Sequence, residues 1–198
     1  MTAPEATAFE YAMGLFSVLI GLAVADIANS FHRLMRARQT IRWDPLAVAA
    51  ALYTLCMAVY MWFDIWGVRH FDATRHFFFY LGLVAQLFVL FLIAAASLPD
   101  KAGDGLLDLR EYYAGNRRYF WSLLLLFQIG YTAFGIYFSS DEINRLSPSG
   151  AVLAWTLMTA PVAISLVLLV LRSRLVHYMG LALLFAIMAL HYAPMQIN

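Results

Sequence analysis

One cysteine in 198 residues, Cys56, excludes an intrachain disulfide and any Cys-x-x-Cys metal or redox motif. Charge is nearly as scarce. Asp, Glu, Lys and Arg make up 13% of the chain, and a net charge of +1 leaves no dense basic face for nucleic acid. No GxSxG, HExxH, P-loop or GxGxxG occurs, and nothing in the sequence places a base beside a nucleophile, so an enzyme is the less favoured reading and stays open. The opening segment carries Glu5 and Glu10 but no basic residue. It lacks the flank of a cleaved secretory signal, and the first apolar run is expected to stay as a span.

What is present is apolar surface: 63% hydrophobic and 16% aromatic residues, with a mean hydropathy of +0.73. A soluble core of this length cannot hide that much. Runs of about 20 apolar residues match the roughly 30 Å hydrocarbon core of a bilayer at 1.5 Å per residue. The pattern predicts an all-α, polytopic transmembrane helix bundle forming one domain, residues 1–198, with the lipid bilayer as its solvent. Six spans are expected over residues 10–32, 46–67, 76–98, 119–138, 150–171 and 175–193.

Placement of the cations orients the chain. With the N-terminus outside, the inner loops hold ten Lys and Arg residues, from Arg33 to Arg174, against Arg69, Arg75 and Arg145 outside. Both termini are therefore expected outside the cytoplasm. Trp43, Trp62, Trp66 and the runs "HFFFY" and "RRYFW" fall at the expected interfaces, where amphipathic rings anchor helices. Leu106, Leu109 and Tyr113 repeat at helical spacing between Asp104, an N-cap, and Gly115, a stop. They predict a short surface helix over 104–115. The three-residue "RSR" turn makes the last two helices antiparallel neighbours.

The stretches "FEYAMGLFSVLIGLAVADI", "RLMRAR", "WFDIWGVR" and "DLREYYAGNRRYFW", spread over roughly residues 9 to 121, resemble in kind and order a group of six-helix bacterial integral membrane proteins. The resemblance implies a multi-pass protein of the bacterial cytoplasmic membrane. No activity is attached to that group, so it assigns no functional residue.

Asp26 interrupts the first apolar run in its inner third, where an ionised carboxylate costs a few kcal/mol unless paired or hydrated. Asn29 and Arg33 share its helical face, and Arg33 is in reach of the carboxylate. Two readings stand for this face: a structural ion pair between helices, or a proton or cation step in a pathway. Gly14, Ser17, Gly21, Ala25 and Ala28 recur at three- or four-residue intervals beside it and form a helix-packing seam. Asp26 is thus expected between helices.

Gln86, Gln128, Thr132, Thr156 and Thr159 place neutral polar groups in spans three to five, suited to hydrogen bonds across helices or to a hydrophilic lining. Pro161 frees a carbonyl in the fifth span and predicts a kink. Asp64, near the outer end of the second span, shares its depth with Glu10, His70, Asp72, His76 and His191. Their spacing matches no metal motif. His177 and His191 lie about 21 Å apart along one helix face. That separation suits two haems, with His32 as an inner partner and His70 or His76 as an outer one. No second span carries a matching His pair, and interfacial histidines fit better.

Three functions follow in order. The first is a small channel or transporter for an ion or small solute, homo-oligomeric and without cofactor. The second is a non-catalytic accessory or scaffold subunit of a larger membrane complex. The last is a haem-bearing electron carrier.

Overall fold

The computed structural model describes residues 3–70, 76–100 and 106–192, and side chains from Phe9 onward except those of His70, Glu142 and Tyr192. Six helices dominate: α1 (Ala3–Arg36), α2 (Pro45–Gly67), α3 (Phe77–Ser97), α4 (Leu109–Ile143), α5 (Pro148–Val170) and α6 (Arg174–Tyr192). All six contain stretches long and apolar enough to cross a membrane. The chain is an all-α, six-span integral membrane protein. Large apolar side chains such as Phe78, 81% exposed, face outward, as lipid allows and water does not.

The helices gather into two compact units, residues 1–116 and 117–198, where the sequence suggests one domain. In the first, α1, α2 and α3 pack mutually. Phe9, Met13, Phe16, Ile20, Ala23, Ile27, Ser30 and Leu34 of α1 are buried at alternating four- and three-residue steps, a single seam along the helix. The seam uses bulky residues because lipid tails are as apolar as any partner, and interdigitating van der Waals contact supplies the adhesion.

The small-residue stripe behaves differently from its expected role. Gly14, Ser17, Gly21, Ala25 and Ala28 are exposed, and a Cβ added at Gly14 or Gly21 would meet nothing within 4 Å among the described residues. Only Ser17 is engaged, accepting a hydrogen bond from Trp62 Nε1 at 3.1 Å.

Two short strands, β1 (Ile41–Arg42) and β2 (Leu107–Asp108), pair in parallel, Ile41 with Leu107 and Arg42 with Asp108. The Arg42 guanidinium lies 3.4 Å from Asp108 Oδ2. Asp108 Oδ1 accepts from the Arg110 N–H at 2.8 Å, capping the start of α4. This corrects the surface helix expected over 104–115. Asp104 lies outside the described residues, Asp108 is the cap, and α4 runs unbroken through Gly115 for 35 residues.

In the second unit α4 buries Arg117, Phe120, Trp121, Leu124, Phe127 and Gln128, again at helical spacing. Trp121, expected at an interface, is fully buried with its ring edge-on to His177, the centroids 5.7 Å apart. α5 continues through Pro161, and α5 and α6 pack as neighbours across the turn at 171–173.

Their closest approach is at Gly180, where an added Cβ would lie 2.7 Å from both Leu168 methyl carbons, themselves fully buried. Gly180→Ala is expected to destabilise the protein by about 1–3 kcal/mol through overpacking. Gly135→Ala, which meets only the flexible Met158 thioether at 3.3 Å, is expected to cost less. Thermal unfolding of the two variants in detergent checks the order.

Candidate functional site

Asp26 sits on α1 one turn before Ser30, which is 1% exposed, and two turns before Arg33. Arg33 does not pair with Asp26 as the spacing suggests. Its Nη2 donates to Ser30 Oγ at 2.9 Å and lies 3.6 Å from Asp100 Oδ1, in the segment after α3. A guanidinium on a long stem reaches forward along its helix to the carboxylate that follows α3. Asp26 itself lies within electrostatic reach of both Asp100 and Arg33. Its Oδ2 is buried and accepts no hydrogen bond among the described residues.

The start of α4 completes the cluster. Asn116 Nδ2 donates to the Ala96 carbonyl at 2.6 Å and to Tyr112 Oη at 3.3 Å, and Tyr112 Oη donates to the same carbonyl at 3.2 Å. Ala96 is in the last turn of α3, so both donors occupy a carbonyl the helix leaves unsatisfied. Tyr112 is in electrostatic reach of Asp100 and Asp26. Two carboxylates, one guanidinium, a phenol and an amide thus gather from α1, the segment after α3 and the start of α4, all in the first unit.

Magnitudes separate a clamp from a site. The Arg33–Asp100 pair has side chains 46% and 68% exposed, and such pairs contribute about 0–1 kcal/mol. That is too little to offset a carboxylate in a span. Two acids against one arginine also leave one negative charge when all are ionised. Among the described residues the bare Oδ2 is an oxygen of this cluster with capacity left to accept a hydrogen bond.

The other expected residues are scattered. Asn29 is exposed; Gln86 and Gln128 are buried and neither lacks a partner. Thr132 Oγ1 does cross to another helix, donating to the Met158 carbonyl at 3.2 Å. Thr156 and Thr159 instead donate to Val152 and Trp155 of their own helix, because a carbonyl four residues back is always in reach of a threonine. Asp64 is half-buried near the end of α2.

His32 and His191 are exposed, whereas His177 is buried with Nε2 2.9 Å from the Leu171 carbonyl. A carbonyl only accepts, so Nε2 carries the hydrogen there and offers no lone pair to iron. Among the described residues no three His, Cys, Asp or Glu side chains converge as a metal site; Asp72 and the His70 side chain lie outside them.

The second unit holds a polar arrangement that sequence reasoning missed. Arg117, 7% exposed, donates through Nη1 to the carbonyls of Leu168, Leu169 and Leu171 at 3.1, 2.8 and 2.7 Å. It caps the C-terminus of α5 with a positive charge where the helix dipole is negative. No protein-family model, curated protein or solved structure matches the chain.

Proposed function

We propose that this membrane protein is a small channel or transporter for an ion or small solute, working as a homo-oligomer, in which Asp26 is the step that takes a proton or small cation. The observation that carries this reading is the Oδ2 of Asp26, buried without a hydrogen-bond partner among the described residues and in a side chain within electrostatic reach of a second carboxylate, Asp100. Intramembrane carboxylates are costly and typically mark ion or proton routes. Arg33 limits the charge to one uncompensated acid, and Tyr112 and Asn116 give the cluster hydroxyl and amide groups of the kind that line a polar path.

In the same reading the chain belongs to the bacterial cytoplasmic membrane with both termini outside, as the ten-to-three division of basic residues between loops implies. The Asp26 cluster then lies on the cytoplasmic side of the bilayer.

A second reading, an accessory subunit of a larger membrane complex, is favoured by two uncovered surfaces. They are the open small-residue stripe of α1 and the flank of α5, whose only buried residues are Ser165 and Leu168. Small residues at such a face let a foreign helix approach closely.

Reconstitution of the purified chain into liposomes separates the two. Proton-, Na⁺- or K⁺-driven dye responses above those of empty liposomes are the expected result. Silence toward all three ions and toward small neutral solutes, with co-purification of a second membrane protein at fixed stoichiometry, would replace the pathway with the subunit role.

A further inference from the structure

The end of the second unit where α5 hands over to α6 concentrates positive charge. Arg172 is exposed in the turn, Arg174 is half-buried at the first position of α6, and Arg118 is exposed on α4. Arg118 follows Arg117, whose guanidinium is fixed on the last carbonyls of α5 at this same end. Arg117 and Arg174 both lie in electrostatic reach of His177. The only acids between Arg117 and Asn198 are Asp141 and Glu142. Asp141 is 23 residues along α4 from Arg118, about 35 Å at 1.5 Å per residue.

Apolar surface lies directly beside these charges. Val170, Leu171 and Leu175 are 65%, 45% and 68% exposed. Arg174 lies over the Tyr178 ring at 5.8 Å, with its Nη2 3.4 Å from Tyr178 Oη, which holds its stem along the helix. The turn is only three residues long, so the guanidiniums stand at the level where hydrocarbon gives way to phosphate.

We propose that Arg118, Arg172 and Arg174 form a binding site for an anionic phospholipid, its phosphate gripped by the guanidinium forks and its acyl chains laid along Val170, Leu171 and Leu175. Guanidinium matches a phosphate in two parallel hydrogen bonds, and basic sites between spanning helices take acidic headgroups. A zwitterionic lipid brings its own cation up to Arg172 and Arg174, whose flanking helices α5 and α6 carry no acid, the nearest on α4 being Glu111 two turns before Arg118, so the preference is for net negative charge. A soluble phosphate has no use for the apolar strip.

The test uses the full chain in mild detergent, with native mass spectrometry of its adducts with equimolar dioleoyl phosphatidylglycerol and dioleoyl phosphatidylcholine. The wild type is expected to favour the glycerol lipid by about fivefold or more, and Arg172→Gln/Arg174→Gln to bring the ratio to within about twofold of unity. Arg36→Gln/Arg38→Gln, which removes two exposed cations from the first unit, is expected to leave the ratio unchanged. Equal binding of both lipids by the wild type overturns the proposal, as does an equal loss in the Arg36/Arg38 variant. Displacement of the lipid by millimolar inorganic phosphate would also overturn it, in favour of a soluble anion. If the Arg172/Arg174 variant does not fold, Arg172→Gln and Arg118→Gln singly are each expected to lose about half of the preference, and no loss in either overturns it.

Discussion

Asp26→Asn is expected to lower ion flux through reconstituted protein by at least about tenfold, equivalent to roughly 1.4 kcal/mol on the barrier, while thermal stability holds or rises. Asparagine keeps the shape of the side chain but neither titrates nor carries the charge that balances a cation. The stability half of the expectation comes from the Oδ2, which is buried and accepts no hydrogen bond among the described residues. Insertion scales put an Asp at mid-membrane about 2.5–3.5 kcal/mol uphill, so its neutral replacement relieves a cost. Asp26→Glu, which keeps a carboxylate, is expected to retain part of the flux. A structural clamp gives opposite signs: flux would be untouched, and the melting temperature would fall. Measuring dye-reported flux and thermal unfolding on one preparation therefore distinguishes the roles without further variants.

Arg117→Met is expected to be the most damaging single change in the second unit, costing about 3 kcal/mol or more. The guanidinium serves three carbonyls at 2.7 to 3.1 Å through one nitrogen, and a buried carbonyl left unsatisfied costs about 1–3 kcal/mol. Methionine fills most of the volume, so the loss reports on the polar contacts rather than on a cavity. Arg117→Lys is expected to fall between, since an ammonium keeps the charge at the negative end of α5 but lacks the planar fork. Unfolding curves in detergent, with protease cleavage in the turn at 171–173 as a local readout, would show the three proteins in that order.

The spans were legible because each is decided by local composition. The apolar pattern predicts a span over 76–98 where α3 is Phe77–Ser97, and one over 150–171 where α5 is Pro148–Val170. Asp26 was legible for the same reason, as a charge in an otherwise apolar run. Its neighbours were not. Asp100, Tyr112 and Asn116 join the cluster through tertiary contacts between segments far apart in sequence, and each looks ordinary where it stands in the chain.

Periodicity also left the choice of face on α1 open, because a bulky seam and a small-residue stripe both repeat at helical spacing. The structure buries the bulky one. By its place after two arginines Trp121 reads as an interface anchor. It is buried instead because α4 continues from Leu109 without a break and turns Arg117, Phe120, Trp121 and Leu124 to one side. Arg117 likewise reads as a loop cation in sequence, and only the position of the last α5 carbonyls reveals its task.

The paired strands bear on the order in which the chain is made. Arg42 and Asp108 are 66 residues apart, so β1 leaves the ribosome well before its partner and must wait through the synthesis of α2 and α3. Asp108 both closes that pairing and starts α4. The register of the fourth helix is thus set by a segment already in place, and the first unit can assemble before the last helices of the second have emerged.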